Sequence, residues 1–123
     1  MVISYVDSRT QDLREFLESL DKPIIVEGRK DREALEYLGV KEQIIELNKG
    51  VALLDIVEAI QDLGYVIILT DMDQQGKILR KKLHKLFNLY GLREDVRPRE
   101  LFARLHLSHV EGLTGFARNI GYP

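Results

Sequence analysis

The stretch Tyr65-Val-Ile-Ile-Leu-Thr-Asp71-Met-Asp73-Gln-Gln-Gly76 (residues 65–76) decides how this chain is read. Its first half is a continuous apolar run, the pattern of a strand buried on both faces of a parallel sheet. Its second half carries two carboxylates two positions apart, then a glycine. If the backbone stays extended past Thr70, the period of two aims Asp71 and Asp73 the same way, with alpha carbons about 6–7 Å apart. Gly76 leads into a helix expected over residues 75–90. Leu79, Leu83, Leu86, Phe87 and Tyr90 line one side of it; Lys77, Arg80, Lys81, His84, Lys85 and Asn88 line the other, and Gly91 ends it.

Upstream, a second apolar run ends the same way: Pro23-Ile-Ile-Val-Glu27, broken by Gly28. Before it, Ser8-Arg-Thr-Gln11 has the spacing of a capping box, with Leu13, Phe16, Leu17 and Leu20 on one face of a helix over 8–20. After it, Asp31 is placed to cap a helix reaching Leu38, stopped by Gly39. A strand over 43–47, the turn Asn48-Lys49-Gly50 and a helix over 51–63 stopped by Gly64 complete the front. Downstream, Pro98 opens a short helix to about Leu105, Leu105–Val110 alternates like a fourth strand, and residues 112–120 suit a last helix. Strands alternating with helices predict an α/β, Rossmann-like fold. It has about four parallel strands in right-handed crossovers, with helices on both faces.

Size and composition narrow the possibilities. The 123 residues are one domain's worth, and 45% hydrophobic with 31% charged residues is a globular balance. The absence of cysteine excludes Cys-ligated zinc, iron–sulfur chemistry and thiol catalysis. No apolar run approaches the roughly 20 residues of a membrane span, and the first residues lack the charged and apolar regions of a signal peptide. A soluble, cytoplasmic protein without membrane attachment is expected.

In a parallel sheet the strands' carboxyl ends share one edge, where ligands bind. Glu27, Asp71 and Asp73 should therefore meet within reach of one divalent ion, as its candidate ligands. Two like charges 4 Å apart repel by about 4 kcal/mol at an effective dielectric of 20, so such a cluster calls for a divalent cation or a raised pKa. Mg²⁺ needs only one or two protein carboxylates. Phosphate chemistry suits the neighbours. Gly28 and Gly76 lie just before helix N-termini, Arg29 and Lys30 follow Glu27, and Lys77, Lys81 and Lys85 form a cationic ridge after Gly76 with Arg80 beside it. Charge is also segregated: residues 1–76 hold 8 Lys/Arg against 16 Asp/Glu, and residues 77–104 hold 9 against 3.

On these residues the chain resembles the Toprim superfamily, whose signature is a strand ending in Glu-Gly and a later strand ending in Asp-x-Asp. Here these are IIVEG at 24–28 and IILTDMDQQG at 67–76, and the likeness runs over about residues 22–112. The extended pattern VEGRKD, NKG, DMDQQGKILR and HVEGL is most similar to small archaeal Toprim proteins and to the ribonuclease that matures bacterial 5S rRNA. The resemblance implies a single stand-alone Toprim domain over 1–123. It implies Glu27 as general acid/base, Asp71 and Asp73 as Mg²⁺ ligands with Mn²⁺ as a substitute, Gly28 and Gly76 as the motif glycines, and Arg80 as a basic residue of the following helix. Glu111, in HVEGL, is a possible additional acid. Met72 replaces a common proline, and Lys77 stands where type IA topoisomerases carry an acid.

The expected function is Mg²⁺-dependent phosphoryl transfer on nucleic acid, nuclease-like, on RNA or DNA. The alternative is a non-catalytic nucleic-acid-binding or interaction module in an RNA-processing or DNA-repair assembly. A protein partner or a homodimer would extend its surface. A complete topoisomerase or primase is excluded by size. A phosphoacceptor receiver lacks its late lysine, and a haloacid-dehalogenase-type phosphatase would carry its acid pair after the first sheet strand. His84, His106 and His109 are expected as packed or surface residues.

Overall fold

A computed structural model of the chain describes residues 8–122. Among the described residues, six α-helices and four strands follow one another as α1 (Ser8–Glu18), β1 (Ile24–Val26), α2 (Arg29–Tyr37), β2 (Ile44–Glu46), α3 (Leu53–Ala59), β3 (Tyr65–Leu69), α4 (Gln74–Tyr90), β4 (Arg93–Glu94), α5 (Arg97–Ala103) and α6 (Leu113–Asn119). Short 3-10 turns at Gln61–Leu63 and Val110–Gly112 precede β3 and α6. The four strands form one parallel sheet in the order β2-β1-β3-β4. The α/β class with a four-stranded parallel sheet is therefore as the sequence predicts.

Strand periodicity sorts the core into two layers. Ile24, Val26, Ile67 and Leu69 face one side and pack with Leu13, Phe16, Leu35, Phe102 and Leu113, from α1, α2, α5 and α6. Ile25, Val66 and Ile68 face the other and pack with Ile56, Val57, Leu83 and Phe87, from α3 and α4. Each such fully buried aliphatic side chain contributes about 1.5–3 kcal/mol, which is why β1 and β3 are apolar at every core position. No helix among the described residues is long and apolar enough to cross a membrane.

The strand order places the site. From β1 the chain moves outward to β2, then returns to build β3 on the other side of β1. The gap between the ends of β1 and β3 is thus the switch point where open α/β sheets bind ligands. Val26 pairs with Leu69, so one residue further Glu27 comes beside Thr70 and within reach of Asp71.

The expected fourth strand at Leu105–Val110 does not form. Leu105 and His106 continue the turns of α5, their amides donating to Phe102 and Ala103, and His106 then turns the chain with φ 57°. Leu105 and Val110 are buried, so the apolar alternation is real, but it belongs to a loop packed on the core. The fourth strand is instead Arg93–Glu94, tied by Arg93 and Asp95 amides to Gly64 and Val66 carbonyls. Two smaller differences concern caps. Ser8 lies inside α1 and Gln11 donates to Glu15 at 3.1 Å, not back toward Ser8. Gly28, not Asp31, is the N-cap of α2, and Asp31 sits at its third position.

Candidate metal centre

Asp71 and Asp73 leave β3 in a loop that is fixed from several sides. The Asp71 amide donates to Glu27 Oε2 at 2.6 Å, and Asp71 Oδ1 accepts from the Val110 amide at 3.0 Å. The Met72 amide donates to the Ser108 carbonyl at 2.7 Å. Asp73 caps α4, its Oδ1 accepting from the Gly76 amide at 2.8 Å. Each aspartate thus spends Oδ1 on the backbone, and their Oδ2 atoms make no such bond to it. Gly76 is there because the helix start lies on the loop: a Cβ would stand 1.9 Å from the Asp71 carbonyl oxygen. Thr70 Oγ1 closes the turn by donating to the Gly76 carbonyl at 2.7 Å.

His109 joins this pair. Its Nε2 lies 3.4 Å from Asp73 Oδ2, and its Nδ1 is 2.9 Å from Ser108 Oγ. Asp71, Asp73 and His109 each offer a ligand atom, all within 4.8 Å of one another. Donors to one cation stand about 2.0–2.2 Å from it, so this spacing fits a single ion after small rotations of the side chains. Two carboxylates suit Mg²⁺ or Mn²⁺, and an imidazole favours a softer ion than Mg²⁺ as third ligand. The sequence treats His109 as an ordinary surface residue. Its one sequence cue is its place beside the Val110-Glu111-Gly112 turn, which returns to the acids where a strand over 105–110 would not.

The Glu27 carboxylate borders a cleft of about 320 Å³, together with Gly28, Asp31, Asn48, Asp71, His109 and Glu111. Burial pushes the Glu27 carboxyl above its ordinary pKa, opposed by the Asp71 amide and reinforced by Asp71, Asp73 and Asp31. Asp31 is 6% exposed, and its Oδ2 accepts from the Gly28 amide at 3.0 Å. Burial raises its pKa as well; the Gly28 amide opposes this, and Asp71 and Glu111 add to it. The edge therefore gathers Glu27, Asp31, Asp71, Asp73 and Glu111. Asp31 was expected only as a cap, yet a buried acid one turn beyond Glu-Gly belongs to the same cluster.

The basic residues divide. Arg29 and Lys30 line the acidic cleft, with Arg29 donating to Glu33 at 3.1 Å. Glu111 is exposed on its far side. The glycine amides expected to meet an anion are taken, Gly28 by Asp31 and Gly76 by Asp73. Lys77, Arg80 and Lys81 face a separate cleft along α4. Arg80 is not a free cation, since its guanidinium forks onto Glu94 at 2.8–3.1 Å. The loop 70–71 is held from beneath by Arg99, a residue that composition and spacing left unmarked. Its Nη1 donates to the Thr70 carbonyl at 2.8 Å and Thr70 Oγ1 at 3.2 Å, and its Nη2 to the Asp71 carbonyl at 3.2 Å.

No protein-family model matches the chain. A UPF0292 protein from Thermococcus onnurineus is 34% identical over 105 residues, which cover 85% of this chain and 78% of that one. A UPF0292 protein from Methanocaldococcus jannaschii is 38% identical over 88 residues, 70% of this chain and 69% of that one. Among solved structures, a protein from Aquifex aeolicus superposes with a TM-score of 0.70 at 25% identity, covering 83% of this chain and 94% of its own. With identity above 30% across most of both chains, this protein belongs to the UPF0292 family.

Proposed function

We propose that the chain carries a Toprim domain that holds a divalent cation at Asp71 and Asp73 and cleaves phosphodiester bonds in RNA or DNA. The observation that carries this is the grouping of Asp71, Asp73 and His109 donor atoms within 4.8 Å, next to a Glu27 carboxylate bonded to the Asp71 amide. Backbone amides lock one oxygen of each aspartate and leave the other to bind. Mg²⁺, or Mn²⁺ in its place, would polarise a phosphate oxygen and offset the charge that builds on it during displacement.

Glu27 is the group for the proton. Its carboxyl is held above the ordinary range by burial, which brings it closer to neutrality, where a general acid/base works best. The Asp71 amide fixes its orientation through Oε2. Lys30 and Arg29 at the rim favour approach of a phosphate to an edge that is otherwise acidic. A cytoplasmic location, as the sequence suggests, suits such a substrate.

The test is Mn²⁺ titration of the wild type and the Asp71→Asn/Asp73→Asn double variant, followed by both preparations on labelled RNA and DNA. Saturable Mn²⁺ binding and cleavage in the wild type, both lost in the variant, support the proposal. Metal-independent nucleic-acid binding with no cleavage favours the interaction module instead.

A further inference from the structure

A second cleft, of about 440 Å³, runs along α4 on the Met72 side of the same loop. Lys77, Arg80, Lys81, His84 and Arg99 line it, and no carboxylate does among the described residues. Arg80 and His84 both bond Glu94, whose side chain is only 3% exposed, so those charges answer one another. Lys77 and Lys81 are exposed and appear in no ion pair among the described residues.

Arg99 is the unusual member. It is 6% exposed, and among the described residues its hydrogen-bond partners are backbone carbonyls and the Thr70 hydroxyl. Neutral acceptors satisfy a guanidinium's protons but not its charge, and a buried charge without a counter-ion is costly. Burial and the neighbouring Arg80 press its pKa below the ordinary arginine value; Glu94, Asp71 and Glu27 oppose this from a distance without pairing to it, and the arginine stays charged. All four bonds leave from Nη1 and Nη2, and no buried side-chain nitrogen among the described residues lacks a partner. The Nε–H makes no hydrogen bond among the described residues and is left to meet a ligand in the cleft that Arg99 lines.

We infer that this cleft is a phosphate site, separate from the acidic cleft, with Arg99 at its floor and Lys77 and Lys81 at its rim. A planar guanidinium and two flexible ammonium groups match a tetrahedral anion, and the absence of a lining carboxylate removes the usual competitor. Met72 belongs to this cleft and Asp71 to the other, so a single loop divides them. A nucleic-acid strand crossing loop 71–73 would present one phosphate to the acids and another to Arg99. The source of that second phosphate rests on the nucleic-acid function proposed above; the anion site itself does not.

The experiment follows the Arg99 Nε–H resonance and the amides of residues 76–81 by NMR as inorganic phosphate is added in the presence of a chelator. It uses the wild type, Asp71→Asn/Asp73→Asn and Lys77→Gln/Lys81→Gln. The lysines are exposed, so the last variant should fold normally. Saturable shifts at Arg99 in the wild type and the aspartate variant, weakened about tenfold or more in the lysine variant, support the site. They would do so even if metal binding and cleavage both failed. No shift at Arg99, or shifts unchanged in the lysine variant, would overturn it.

A second arm compares oligonucleotides with a 5′-phosphate and a 5′-hydroxyl. A preference for the phosphate that disappears in Lys77→Gln/Lys81→Gln identifies a strand end as the source. Equal binding that weakens for both, with a salt slope shallower by about 1.4 for two lost single-strand contacts, identifies an internal phosphodiester. Identical affinities and slopes for the lysine variant and the wild type count against the site.

Discussion

The Glu27 carboxylate and the Asp71 amide are joined by a 2.6 Å hydrogen bond that ties the end of β1 to the end of β3. The bond spans 44 positions in sequence, yet it follows from register alone: Val26 beside Leu69 carries Glu27 to the first residues beyond β3. An amide donor favours an ionised Glu27, while burial and three neighbouring acids oppose it, and the balance raises its pKa above the ordinary glutamate value.

That balance has a pH signature. Glu27 and Asp31 both have folded pKa values above their unfolded ones. The stability from their neutral forms is complete below the unfolded pKa and is lost as pH rises through the folded value. Asp31→Asn removes one such group, so its melting temperature relative to wild type should climb as pH rises from about 4, the ordinary aspartate value, through the raised folded one. Added Mn²⁺ should stabilise the wild type more at the upper end of that range. A pH-independent difference in differential scanning fluorimetry would contradict this.

Two glycines should respond in opposite ways to alanine. At Gly76 the new Cβ would meet the Asp71 carbonyl oxygen at 1.9 Å, a backbone atom that cannot swing aside. Gly76→Ala should cost about 3 kcal/mol or more, at the upper end of overpacking. At Gly115, inside α6, a Cβ meets nothing within 4 Å and the backbone is not in the left-handed region. Gly115→Ala should gain about 0.5–1 kcal/mol from helix propensity. Urea unfolding of both variants measures the contrast.

Asp73 has two tasks that substitutions can separate. Its Oδ1 caps α4, and its other oxygen faces His109. Asp73→Ala should lose about 1 kcal/mol of stability with the cap. Asp73→Asn keeps an acceptor for the Gly76 amide, so it should melt near the wild type while Mn²⁺ affinity falls about tenfold or more. Calorimetric titration beside thermal melts distinguishes the two effects.

Arg99 should be hard to replace. Arg99→Met leaves the Thr70 and Asp71 carbonyls without their donor, at about 1–3 kcal/mol. Denaturant unfolding of this variant, compared with the exposed Lys77→Gln, should show the loss in the first alone.

How legible these features were depends on where the chemistry sits. The sheet and the three acids were readable because β1 and β3 are buried on both faces and each ends in a carboxylate before a glycine. β4 was not, because two residues, Arg93–Glu94, carry no periodicity to detect. His109 was missed through the misread strand: core packing of Leu105 and Val110 imitates alternation, while the backbone between them turns at His106. Arg99 left a faint sign. It lies three residues before Phe102 on the buried side of α5, a place where arginine appears only if carbonyls or anions await it.

Cleavage by Glu27→Gln tests most directly whether Glu27 moves the proton at this site. Glutamine keeps an oxygen for the Asp71 amide but cannot move a proton, so the variant should bind Mn²⁺ and oligonucleotide as the wild type does. Strand cleavage, followed on a labelled RNA or DNA, should fall by about 10²-fold or more, the scale of general acid–base catalysis. Wild-type rates in Glu27→Gln, or a Mn²⁺-loaded wild type that cuts neither RNA nor DNA, would contradict it.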